Sequence, residues 1–179
     1  MQKVNYTINI PKDDPNFKKI FIIMAILHQN LEKNKLQISR IKNDINKNDL
    51  QTLFSDIHFF LVSISNLQKI LKYLRSKIRN DINYENIYKK YIKDLEYLNK
   101  FRDHLEHIVD GRLEGKDKKG FLLKDPNMLG GIKDEDYNFC GETFNIPRAL
   151  KLPADIKNEL MEWNKVTKRF PVWELENEN

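Results

Sequence analysis

The chain has 179 residues, a formal net charge of +5, 40% hydrophobic and 32% charged side chains, which is enough apolar material for one core and too little length for two. Six glycines and six prolines are about half the usual share, which excludes a turn-rich sandwich or barrel. One cysteine, Cys140, excludes an internal disulfide framework and a Cys-cluster metal site.

The longest apolar run, Phe21 to Leu27, has seven residues, too short to span a membrane, and it follows Asp13 and Asp14 where a secretory signal would be basic. The expectation is a soluble, cytoplasmic protein with no membrane partner.

All six glycines lie between Gly111 and Gly141, and no proline interrupts the chain between Pro15 and Pro126, so long helices are permitted. Phe17, Ile20, Met24, Leu27, Leu31, Asn34, Ile38, Ile41 and Ile45 recur at steps of three and four, predicting a first helix over about 16–46 with one polar position at Asn34. Leu50, Leu53, Ile57, Phe60, Ile64, Leu67, Leu71, Leu74 and Ile78 predict a second over 49–79, with Asn48 or Asp49 as its cap. Tyr84, Tyr88, Tyr91, Leu95, Leu98, Arg102, Leu105 and Val109 predict a third over 84–110, stopped by Gly111. Its anomaly is Arg102 on an apolar seam.

A shorter fourth helix over 153–170 is expected from Leu152, Ile156, Leu160, Trp163 and Phe170, entered through Pro153 and Asp155 and ended by Pro171. The links between the first three helices are short, so neighbours should run antiparallel. The fold class expected is all-α, a single domain over 1–179. It would be an up-and-down four-helix bundle with long helices and a small β-hairpin and loop insertion, 111–151, before the last helix. Within that insertion Tyr137 to Cys140 and Thr143 to Ile146 flank Gly141-Glu142 as a hairpin. Val4 to Ile10 would add an extended arm, and the acidic Glu174 to Asn179 a frayed end.

Charge is uneven. Between Lys69 and Arg102 ten basic residues face four acidic ones, with Tyr73, Tyr84, Tyr88, Tyr91 and Tyr97 interleaved. A polyanion such as RNA could dock there, with Lys72, Arg75, Arg79, Lys93 and Lys100 as the contacts. The plainer reading is a solvated helix face with the tyrosines in the core.

The densest ionisable cluster is Arg102-Asp103-His104-Leu105-Glu106-His107. A guanidinium cannot shed its charge, so on an apolar seam it must be paired or open to a cleft. The structural explanation pairs Arg102 with Glu106 and Asp103 with His107, one turn apart. The chemical explanation is RNA cleavage without a metal. An imidazole takes a proton from a ribose 2′-hydroxyl, arginine holds the charge developing on the adjacent phosphate, and Asp103 orients His107.

These residues resemble the arginine, polar residue, then histidine four to six positions on that marks the HEPN ribonucleases, near the end of a long helix as in that family. The resemblance implies an all-α bundle, a homodimer whose two motifs line one cleft, and RNA cut to a 2′,3′-cyclic phosphate. Toxin or phage-defence roles, with a cognate antitoxin protein as partner, are common there. It assigns Arg102 to the scissile phosphate, His107 to general acid or base work, and Asp103 and Glu106 to orienting or pairing. Five helical residues set Arg102 and His107 about 140° apart, a tension that a dimer contact, a distortion near Gly111 or the reach of arginine's long stem would each resolve, the resemblance favouring the dimer.

The alternative is a non-catalytic helical module that binds protein or nucleic acid through its basic face. No cofactor and no metal are expected: His104-x-x-His107 with Asp103 or Asp110 lacks a second ligand cluster. The glycines at 111, 115 and 120 lack the Gly-Lys-Ser/Thr of a phosphate loop. His28 and His58 each lie one place off a seam and read as satisfied or exposed.

Overall fold

The computed structural model describes residues 17–78, 80–107, 131–133, 135–139 and 141–167. The expected arm at Val4 to Ile10, the stop at Gly111, Cys140, the helix end at Phe170 and Pro171, and the tail from Glu174 lie outside them.

Described residues form four helices, α1 (Phe17–Lys47), α2 (Leu50–Lys77), α3 (Ile82–Glu106) and α4 (Ile146–Thr167). Three strands precede the last helix, β1 (Gly131–Lys133), β2 (Asp136–Phe139) and β3 (Glu142–Asn145). No described helix is long and apolar enough to cross a membrane.

The turns explain the boundaries. Asn48 adopts the left-handed conformation at φ 54°, its N–H donating to Ile45 O at 3.1 Å and that of Asp49 to Asp44 O at 3.0 Å. This is the paired closure that ends a helix when a residue beyond its last turn tolerates positive φ, a role asparagine fills where glycine is absent. Asp49 then caps α2 by accepting from Thr52 N at 3.1 Å. Two of these features recur at the next corner, a left-handed asparagine and an aspartate cap. Asn80 has φ 66°, and Asp81 caps α3 by accepting from Tyr84 N at 3.0 Å.

Helix neighbours are antiparallel, as their cross-links show. Asn30 of α1 donates to Ser63 O of α2 at 3.1 Å, and Arg40 reaches Asp56 at 2.9 Å. Between α2 and α3, Arg75 meets Glu85 near the turn and His58 meets Glu106 at the far end. Between α3 and α4, Trp163 Nε1 donates to Asp81 Oδ2 at 3.1 Å, while Tyr97 donates to Thr143 O beside the start of α4 at 2.6 Å.

Every expected apolar position of α2 from Leu53 to Ile78 is buried, leaving Leu50 half-exposed. Tyr84, Tyr88 and Tyr91 are core residues, which satisfies the plainer reading of those three, while Tyr73 and Tyr97 stay partly exposed. In α1 the seam carries more polarity than the single Asn34 expected, since Asn30, Asn34 and Asp44 are all buried and Asn34 donates to Asn30 O at 2.9 Å.

Four expectations need correction. The last helix starts at Ile146, not at 153, because Asn145 Oδ1 caps it by accepting from Arg148 N at 3.0 Å. Pro147 takes the first-turn place assigned to Pro153, whose ring is buried inside the helix. The hairpin turn sits one residue earlier than read, since Phe139 pairs with Glu142 and Gly141, at φ 79°, supplies the positive φ of a two-residue link. A third strand, β1, pairs antiparallel with β2; three residues are too few for alternation to announce it. The third helix ends at Glu106, short of 110, with His107 as its cap and its N–H on Asp103 O at 3.1 Å.

Candidate active site at the end of the third helix

The sheet decides where Arg102 goes. Along α3 the buried positions run Tyr84, Tyr88, Tyr91, Leu95 and Leu98 as expected, then pass to Phe101 and His104, both at 0% exposure. Phe101 stacks edge-on against Phe144 of β3 at 4.9 Å and Tyr97 at 5.3 Å, and tilts towards Tyr137 of β2 at 6.4 Å. One residue is about 100° of helix, so docking the sheet on this flank turns the buried face by that amount. Arg102, read from sequence as lying on the seam, is therefore set at its shoulder with 19% of its side chain exposed.

Two carboxylates close on the guanidinium. Nη1 donates to Glu106 Oε2 at 2.6 Å, and Nη2 donates to Asp103 Oδ1. The i to i+4 pairing expected for Arg102 and Glu106 is present, and Asp103 shares the same cation. Nε of Arg102 is buried without a hydrogen-bond partner among the described residues, so the clamp leaves one donor unmet, which is costly for a purely structural ion pair. The paired carboxylates are themselves partly open to solvent, so a phosphate has access to compete for the guanidinium.

The other oxygen of Glu106 faces α2. Oε1 lies 3.9 Å from Nε2 of His58, whose side chain is 38% exposed. The sequence reading set His58 aside as one place off its seam. Spacing along one helix carries no signal for it: the antiparallel packing of α2 on α3 is what brings a residue near the start of α2 to the end of α3. His107, half-buried, caps the helix next to Glu106. His104 faces inward and is fully buried.

The basic face is largely neutralised. Arg75 makes a two-pronged pair with Glu85 at 2.7 and 2.6 Å and sits 4.5 Å over the Tyr88 ring; its guanidinium holds the Glu85 carboxyl below the usual range. Lys72 meets Glu96 at 3.1 Å, and Lys100 meets Glu142 of β3. Lys93 is exposed, and Arg79 lies outside the described residues. Three of the five expected RNA contacts therefore already hold a carboxylate.

A separate cavity of about 1090 Å³ lies between α1 and α4, floored by Leu31, Ile38 and Leu150 and rimmed by Lys35, Lys42 and Lys151. It contains none of the motif residues. Among the described residues no three His, Cys, Asp or Glu side chains converge as metal ligands. Comparison with protein-family models, with curated proteins and with solved structures returns no match.

Proposed function

We propose that the chain is a metal-independent endoribonuclease of HEPN type, built as an up-and-down four-helix bundle and acting on RNA in the cytoplasm as a homodimer. The observation that carries the reading is the Arg102 guanidinium at the rim of the core with Nε unmet, paired with Glu106, whose other oxygen lies 3.9 Å from the His58 imidazole. A phosphodiester offers that guanidinium the same two-oxygen partner that Glu106 and Asp103 offer now. Arg102 holds the scissile phosphate and the charge that develops on it, and His107 transfers a proton as general acid or base. Asp103 and Glu106 orient the guanidinium when RNA is absent. In the homodimer the second copy brings its own Arg102 and His107 to the cleft, which answers the angular separation of the two residues on one helix. A toxin or phage-defence role with a cognate antitoxin protein belongs to the same reading.

The test is cleavage of single-stranded RNA in the presence of EDTA. Wild-type protein cleaves it and leaves a 2′,3′-cyclic phosphate. Arg102→Ala and His107→Ala each abolish cleavage with unchanged helical circular dichroism. Equal activity in all three proteins removes the proposal.

One observation favours the second reading, a non-catalytic helical module: both carboxylates already neutralise Arg102. Under that reading RNA binds in a salt-sensitive way, or not at all, and is never cut.

A further inference from the structure

Glu106 bridges two helices with one carboxylate. Oε2 accepts from Arg102 Nη1 of α3 at 2.6 Å, and Oε1 lies 3.9 Å from His58 Nε2 of α2. An anion at this point thus accepts from a guanidinium on one side and lies 3.9 Å from an imidazole on the other, within reach of a small rotation of either side chain. We propose that the Glu106 carboxylate occupies the place of a substrate phosphodiester, and that His58 is a further catalytic residue, reaching that phosphate from the same protomer. The assignment rests on the ribonuclease reading above.

The backbone supports a precise placement of His58. Its neighbours Ile57, Phe60 and Leu61 are all 1% exposed or less, so the middle of α2 is held by the core while the imidazole remains open to solvent. Its ring lies edge-on to Phe59 at 6.2 Å, which limits its swing. Rigid elements with an exposed reactive tip suit a group that must meet a substrate atom.

With two imidazoles the chemistry balances without metal or oxidant. The ribose 2′-oxygen bonds to phosphorus and its proton passes to one imidazole. The bond from phosphorus to the 5′-oxygen breaks, and that oxygen takes a proton from the other, protonated imidazole. The products are a 2′,3′-cyclic phosphate and a 5′-hydroxyl. Exchange with solvent water then returns one proton to the second imidazole and removes one from the first, which resets the pair with the cyclic phosphate as final product. His58 and His107 are the pair.

Two measurements test this on the full chain. The first is the pH–rate profile of RNA cleavage for wild type and His58→Gln. The variant should lose about 100-fold or more in kcat and one limb of the bell, while its affinity for a non-cleavable 2′-O-methyl oligonucleotide is retained. The second follows the His58 imidazole resonances of the wild-type protein, which should shift when that oligonucleotide is added. Cleavage that survives His58→Gln with both limbs intact, yet is lost in Arg102→Ala, overturns the His58 assignment and leaves the ribonuclease reading standing. No cleavage by wild type overturns the ribonuclease reading. In that case a shift of His58 still supports the phosphate position, and its absence overturns that position too.

Discussion

Arg102 and Glu106, one turn apart on α3, are joined by a 2.6 Å bond from Nη1 to Oε2, and the same carboxylate turns its second oxygen towards His58. The guanidinium is thus occupied in the absence of substrate, and any anion must compete with a carboxylate tethered beside it. Removing the charge of Glu106 removes the competitor while preserving its shape.

Glu106→Gln should tighten binding of a 2′-O-methyl oligonucleotide about tenfold, since repulsion by one solvent-exposed carboxylate beside Arg102 is lifted. Fluorescence anisotropy at low and moderate salt measures it. Weaker or unchanged binding means that Glu106 does not stand in an anion's place.

Asp44 and Asp56 face each other at the α1–α2 contact, 5% and 1% exposed, and Arg40 of α1 offsets them, its Nε 2.9 Å from Asp56. Burial first, then the hydrogen bond and charge of Asp56 and the charge of Asp49, raise Asp44 above its ordinary 3.8, against the lowering effect of Arg40. The native state therefore binds this proton more tightly than the unfolded chain. Its stabilising contribution is complete below the ordinary value and is lost as pH rises through the raised one. Asp44→Asn should raise the melting temperature near neutral pH, and the difference from wild type should close as pH falls towards the ordinary value. A difference that widens on acidification contradicts this.

Asp81 serves two elements with one carboxylate, capping α3 at Tyr84 N and accepting from Trp163 Nε1 of α4. Asp81→Ala loses a cap, about 1 kcal/mol, and leaves a part-buried indole N–H short of an acceptor, about 1–3 kcal/mol. Urea denaturation followed by circular dichroism should show a loss of about 2–4 kcal/mol. A cost below the cap alone would mean that the Trp163 bond contributes nothing.

Phe101 is the buried aromatic anchor of α3 on the sheet, beside the polar links of Tyr97 to Thr143 and Lys100 to Glu142. Phe101→Ala should cost about 3–5 kcal/mol and loosen the sheet, which hydrogen exchange at Tyr137 and Phe144 would report. On the proposed ribonuclease reading RNA cleavage should fall in this variant as well, because the same packing sets Arg102 at the rim.

Much of the helical framework is legible in the chain itself. Steps of three and four over Leu53 to Ile78 name one buried stripe, and Asp49 and Asp81 announce helix starts because a short carboxylate can accept the free N–H groups of a first turn. The start of α4 was legible too, at Asn145 and Pro147, but Pro153 offered a competing first-turn signal that tertiary packing overrode.

The site divides the same way. That Arg102 would find Glu106 follows from helix geometry, since four residues return to the same face. That the buried face would turn from Arg102 to Phe101 could not be read from periodicity, because it depends on a sheet arriving from residues 131–145 to cover that flank. Nor could the approach of His58 to Glu106, 48 residues apart in sequence: local spacing fixes what lies on one helix, while the meeting of two helix faces is chosen by the packing of the whole core.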